Sequence, residues 1–216
     1  MVQILPTVFA TTEEDYKKQI DQIETSGAFK NGWVQIDLMD NKFVPNLSIN
    51  LDVVAKYPID SRKEAQLMVA EPQDWIDQLT KLGFSRVIFP IEVGRTDQYI
   101  EQIKKNNMEV GLSVNPETEV DQVLQFLDRI NLILLMGVHP GFQKQKFIPE
   151  TLDKARKLAK LKSKHNFLIG EDGGINPETV KSLVEAGVDN LAVGSFLFNG
   201  DINENLERLW EAIKNG

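Results

Sequence analysis

Cysteine is absent from this chain, and histidine occurs only twice in 216 residues. Without thiols there is no disulfide, no thiolate metal site and no sulfur nucleophile. Basic residues are the minority charge, 24 against 32 acidic ones. The net −8 argues against a nucleic-acid or anionic-membrane surface but leaves room for a local phosphate pocket. Long apolar runs are missing too. The apolar start at residues 2–10 has no basic leader and passes straight into Thr11-Thr12-Glu13-Glu14-Asp15. Neither a signal peptide nor a membrane span is therefore expected, and the protein is expected in the cytoplasm. No stretch is rich enough in proline, glycine or serine to act as a linker. With 42% hydrophobic residues the chain can build one large core, and a single domain over residues 1–216 is expected.

What is present is a regular alternation of short apolar runs and longer segments of helical period, the pattern of a parallel sheet with crossover helices. Eight strands are expected, at 3–5, 34–37, 64–68, 87–89, 110–113, 132–136, 167–170 and 190–193. Helix signals fall between them. Thr12 with Asp15 three residues later reads as a capping box, Tyr16, Ile20 and Ile23 share a face, and Gly27 is the stop. Asn115-Pro116 and Asn176-Pro177 each read as an N-cap followed by proline at the first helical position, and Gly187 closes the helix after the second. Eight such units in this length predict an α/β fold, a single (β/α)8 TIM barrel. The alternative, an open doubly wound sheet, would be expected to carry a Gly-x-Gly-x-x-Gly turn after the first strand, where Leu5-Pro6-Thr7-Val8 stands.

Barrel enzymes place their chemistry at the C-terminal ends of the strands. Alternation puts Gln35, Asp37 and Met39 on one face of the second strand, and Glu64, Gln66 and Met68 on one face of the third. A lone aspartate at a strand end is commonly a turn residue or a helix N-cap, and Asp40, in Met39-Asp40-Asn41, is read as such a turn. Asp37 and Asp172 differ because each sits in a distinctive segment, IDLMDNKFVPN at 36–46 and GEDGGINPET at 170–179.

Both segments resemble the ribulose-phosphate 3-epimerase family, and the likeness runs from Pro6 to Phe198. It implies a ribulose-phosphate-binding barrel, a phosphorylated sugar as ligand, and Asp37 and Asp172 as the acid/base pair acting on opposite faces of a sugar carbon. Such a pair works only if burial and mutual repulsion separate the two pKa values. The resemblance also implies that Gly141, Gly173, Gly174, Gly194 and Ser195 lie in the loops that hold the phosphate. It further implies that Met39, Met68 and Met136 line the reacting carbons, and that Thr7, where the family has serine, offers a hydroxyl to the sugar. Core filling is the other reading of the methionines.

Departures from the family pattern are as specific. The two histidines that hold a metal with the aspartates in the family are here Gln35 and Gln66, and Pro90 replaces another histidine. An amide carbonyl is a poor zinc ligand and a weak one for magnesium or manganese. The expected cofactor is therefore a weakly held divalent metal at Asp37 and Asp172, magnesium or manganese sooner than zinc, or none. His139 is either a substrate contact or a loop residue, and His165 is a solvated helix end. Gln143 and Lys144 stand where the family has two glycines; Lys144 either points at the phosphate or is solvated. Glu171, by alternation from Asp172, aims outward, with an ion pair to a helix lysine as the only account of it.

Three functions are compared. The first is an epimerase-like isomerase acting on a ketopentose phosphate or a related ketose phosphate. The second is a phosphosugar-binding pseudoenzyme that kept the anion site and lost the metal. The third, a decarboxylase or aldol-type synthase, would be expected to show Asp-x-Lys-x-x-Asp on the third strand, which Lys63-Glu64-Ala65-Gln66-Leu67-Met68 does not supply. A homo-oligomer is compatible with all three.

Overall fold

Short runs of β-branched and aliphatic residues bounded by turn residues do form eight strands. In the computed structural model, which describes residues 2–214, they are β1 (Gln3–Val8), β2 (Trp33–Met39), β3 (Arg62–Met68), β4 (Phe84–Pro90), β5 (Glu109–Val114), β6 (Leu132–Met136), β7 (Leu168–Asp172) and β8 (Asn190–Val193). Residues 1, 215 and 216 of the expected 1–216 domain lie outside the described residues. All strands pair in parallel, and β8 closes on β1, so the sheet is a barrel in sequence order. One expected boundary shifts with consequence. β7 runs on to Asp172, which makes Glu171 and Asp172 strand residues paired with Leu135 and Met136 of β6.

Helices cover the outside: α1 (Glu13–Ser26), α2 (Leu51–Lys56), α3 (Gln73–Lys81), α4 (Thr96–Lys105), α5 (Thr151–Ala159), α6 (Val180–Glu185) and α7 (Ile202–Lys214). The cap signals hold where they rest on local chemistry. Thr12 Oγ1 accepts the Asp15 N–H at 3.1 Å, and Gly27 ends α1 in the left-handed region at φ 64°. Tyr16, Ile20 and Ile23 are the buried face of α1. Each such side chain taken from water stabilises the fold by about 1.5–3 kcal/mol. Asn176 does not cap α6 itself, which starts at Val180 with Thr179 as its N-cap; its Oδ1 accepts the N–H groups of Glu178 and Thr179 and closes the turn that leads into the helix.

The segment after Asn115-Pro116 is a correction. No α-helix starts there; a 3-10 helix spans Val120–Arg129 instead. The carbonyls of Asn115, Pro116 and Thr118 all turn toward the Lys154 ammonium of α5, at 2.6–3.0 Å, and Asn115 accepts only a single turn bond, from Thr118 N–H. Lys154 lies 36 to 39 residues away in sequence.

The main core lies between barrel and helices, while the barrel lumen holds smaller groups, Ile88, Leu132, Leu134 and Met136 on one side and Leu5, Trp33 and Ala192 on the other. Across β1 to β5 the register aligns Thr7, Gln35, Glu64, Arg86 and Glu109 in one row. Arg86 is buried, bonded to Glu64 at 2.6 Å and to Glu109, and stacked 4.1 Å from the Trp33 ring centre. This ionic floor closes the lumen under the C-terminal mouth.

Candidate active site

Alternation along β2 and β7 carries Asp37 and Asp172 to that mouth, beside a cavity of about 80 Å³. The cavity wall also includes Thr7, Met68, Met136, Gly141, Gly173, Gly174, Gly194 and Ser195. Most residues singled out in the sequence thus meet in one place. Met39 does not line the cavity; it packs with Val44 and Met68 behind it. Gln35 and Gln66 are also absent from the wall, because they lie beneath the two aspartates, buried.

Four side chains converge there. The inward amide end of Gln35 is 3.1 Å from Asp37 Oδ1, 3.2 Å from Asp172 Oδ2 and 2.6 Å from the inward end of Gln66. The inward end of Gln66 is in turn 3.0 Å from Asp37 Oδ1 and 2.7 Å from Asp172 Oδ2. At 2.6 Å one inward end is NH2 and the other is carbonyl, since two donors or two acceptors would repel. Two polarities satisfy this rule. With Gln35 donating, the Gln66 NH2 turns outward to Met136 Sδ at 3.0 Å; with Gln66 donating, its NH2 lies within reach of either carboxyl. In either polarity the NH2 serves the partner carbonyl and one aspartate. The other aspartate faces a carbonyl oxygen, a contact that is satisfied when that carboxyl carries a proton.

Electrostatics agree with this count. Burial, and after it the neighbouring Asp172 charge, lifts the Asp37 carboxyl well above the usual range. Asp172 is pushed up to about 7, first by burial and further by Glu64, against the lowering effect of the amide donors. Near neutral pH the pair therefore keeps a proton.

The end of the cavity where the family resemblance places a phosphate consists of backbone. None of the N–H groups of Gly173, Gly174, Gly194 and Ser195 donates to another described residue. Gly173 adopts φ 120°, and a Cβ there would meet the Val138 nitrogen at 2.9 Å, so only glycine brings this backbone to the cavity. Lys144 sits at φ 61°, a left-handed conformation natural for glycine, and its exposed side chain is at the rim. Across the mouth, Asn46 Nδ2 donates to the Gly141 carbonyl at 2.7 Å and ties the loop after β2 to the loop after β6.

Other readings resolve individually. Asp40 is a turn residue, accepting the N–H groups of Lys42 and Phe43. His139 borders the cavity, but its exposed ring pairs with Glu117 at 2.8 Å. His165 is not simply solvated, since it bonds Asp128 at 2.7 Å. Glu171 is corrected: no lysine reaches it, and both its carboxyl oxygens are buried without a hydrogen-bond partner. They lie against Gly137, a residue the sequence gave no reason to single out beyond its place after Met136. Gly137 donates its N–H to the Asp172 carbonyl at 2.8 Å. Arg86 was also missed, though alternation back from Ile88 points it into the lumen.

The family resemblance implies a metal at Asp37 and Asp172, and the residues present do not fit one. Among the described residues no cluster of three or more His, Cys, Asp or Glu could hold an ion. The two glutamines face each other as donor and acceptor at 2.6 Å, and an N–H directed at the centre repels a cation.

No helix among the described residues is long and apolar enough to cross a membrane. Among solved structures, 3-hexulose-6-phosphate synthase shares the barrel, with a TM-score of 0.69 at 14% identity over 98% of this chain and 100% of that one. Likeness at that identity concerns the fold alone. Much nearer in sequence are the cytoplasmic isoform of ribulose-phosphate 3-epimerase from Oryza sativa subsp. japonica and the ribulose-phosphate 3-epimerase of Bacillus subtilis (strain 168). The first is 33% identical over 99% of this chain and 96% of its own length, the second 33% identical over 92% and 93%. Residues 3–198 match the profile of the Ribulose-phosphate 3 epimerase family, and with two such relatives across nearly its whole length the chain belongs to that family.

Proposed function

We propose that the protein epimerises a ketopentose phosphate, or a closely related ketose phosphate, at the carbon beside the ketone. One observation carries this reading: Asp37 and Asp172, on β2 and β7, both border the cavity, and the same buried amide lies within hydrogen-bond distance of both. Epimerisation needs a base on one face of the carbon and an acid on the other. A diad that retains a single proton supplies one of each. In one direction the ionised aspartate removes the proton, giving a planar enediolate, and the protonated aspartate returns a proton to the opposite face. The two residues exchange roles in the reverse direction.

The rest of the cavity supports the assignment. Unpaired N–H groups at Gly173, Gly174, Gly194 and Ser195 suit a phosphate dianion. The Thr7 hydroxyl, buried without a partner, suits a sugar hydroxyl, and the Met68 and Met136 side chains give the reacting carbons an apolar wall. Catalysis in this chain proceeds without a tightly held metal, and the phosphosugar is its partner in the cytoplasm.

Solvent deuterium incorporation tests the reading. D-ribulose 5-phosphate and other ketose phosphates, incubated with the protein in D2O, are expected to gain deuterium at the carbon beside the ketone and to yield the epimer. Tight binding without exchange would instead support a phosphosugar-binding protein.

A further inference from the structure

We infer that Gln35 and Gln66 form a metal-free clasp that holds the Asp37 and Asp172 carboxyls at one substrate carbon, in the position a cation would otherwise command. The inference rests on the epimerase reading above. Two carboxyls crowded at one point, one of them ionised, need a partner that fixes where each lies. Among the described residues, the groups within hydrogen-bond distance of both are the inward ends of the two amides, at 2.7–3.2 Å.

Three features make the clasp a built device and not a chance contact. Gln35 and Gln66 are both buried, so neither amide end exchanges its partners for bulk water. The two inward ends are joined at 2.6 Å across neighbouring strands, and the pairing of Asp37 with Gln66 in the β2–β3 register sets that approach. Below them the Glu64–Arg86 pair fills the lumen. A divalent ion would need both carbonyl ends turned inward, and two ligand oxygens around a small ion stand roughly 3 Å apart when the metal–oxygen distance is about 2.1 Å. The observed 2.6 Å is a hydrogen bond. Gln35 and Gln66 are positioning residues, because they reach the substrate only through the aspartates.

The unmodified protein decides the matter. After dialysis against EDTA, with metal content measured by mass spectrometry, deuterium exchange into D-ribulose 5-phosphate is expected to stay within about twofold of its starting rate and to gain nothing from added Zn²⁺, Mn²⁺ or Mg²⁺. The variants Gln35→Met and Gln66→Met keep the bulk but remove donor and acceptor. Each is expected to lower kcat by about 10- to 100-fold with little change in KM, since the phosphate contacts are untouched. A merely structural role would instead lower the folded fraction and leave kcat per folded molecule unchanged. The double variant Gln35→His, Gln66→His is expected to bind Zn²⁺ by calorimetry and to become sensitive to chelator. Exchange that EDTA abolishes and a divalent ion restores in the unmodified protein would overturn the clasp and leave the epimerase reading standing. Absence of exchange with every ketose phosphate and every ion would overturn both.

Discussion

Glu171 Oε1 occupies the space that a side chain at Gly137 would fill, 1.9 Å from where its Cβ would lie. Glu171 is on β7 and Gly137 directly follows β6, its pairing neighbour, and Gly137 also bonds the Asp172 carbonyl. The same Cβ would meet the Gly173 carbonyl at 2.5 Å. A flexible carboxyl can move aside; the backbone carbonyl of Gly173, at the cavity wall, cannot do so freely.

Gly137→Ala is therefore expected to destabilise the fold by about 1–3 kcal/mol and to raise KM, since relief must come from moving the Gly173 backbone. Urea unfolding and steady-state kinetics check this. A variant as stable as its parent, with unchanged KM, would show that the strands separate at no cost.

Glu171 itself is a liability that grows with pH. Burial, and then the Asp172 charge, holds its carboxyl well above the ordinary range. A raised folded-state pKa means that its contribution is fully present below the unfolded value of about 4.3 and is lost as pH rises through the folded one. Glu171→Met, similar in volume and without polar atoms, is expected to gain about 1–3 kcal/mol near neutral pH, and more at higher pH. Urea titrations at pH 5, 7 and 9 measure the gap. A gap that narrows as pH rises would contradict the argument.

The diad gives a second pH signature. Below the Asp172 value of about 7 both carboxyls hold protons and no base remains, so kcat/KM is expected to fall on the acidic side of 7. As with Glu171, stability from this group is lost as pH climbs through 7. Asp37→Asn and Asp172→Asn are each expected to lower the rate by on the order of 10²-fold or more. Either variant keeping most of its activity would remove the two-base mechanism.

Thr7 separates binding from folding. Its hydroxyl is buried and unpartnered, so Thr7→Val costs the empty protein nothing it uses. Thermal stability is expected to hold or rise, while kcat/KM falls by about tenfold through the lost sugar contact. An unchanged kcat/KM would assign the hydroxyl no part in recognition.

The barrel was legible because its signals are local. The period-2 and period-3.6 runs, the Thr12 cap and Gly27 depend on residues within a few positions of each other. Asp37 and Asp172 were legible through the segments that carry them, and Gln35 and Gln66 stood out as departures. What escaped depends on distant partners. The Val120–Arg129 segment is shaped by Lys154, far along the chain, and Glu171 meets Gly137 only because β6 and β7 pair. Met39 shares a face with Asp37, yet Val44 and Met68 enclose it away from the cavity. Alternation names a face but does not say which neighbour covers it.

The floor of the lumen bears on how the chain matures during synthesis. Glu64, Arg86 and Glu109 lie on three consecutive strands, β3 to β5. Every partner in that ionic network has been translated once residue 109 emerges from the ribosome, whereas Asp172 arrives 63 residues later. The nascent half-barrel can neutralise its interior charges without waiting for its second half. The candidate site, in contrast, brings Asp37 and Asp172 together only when β7 has closed against β6.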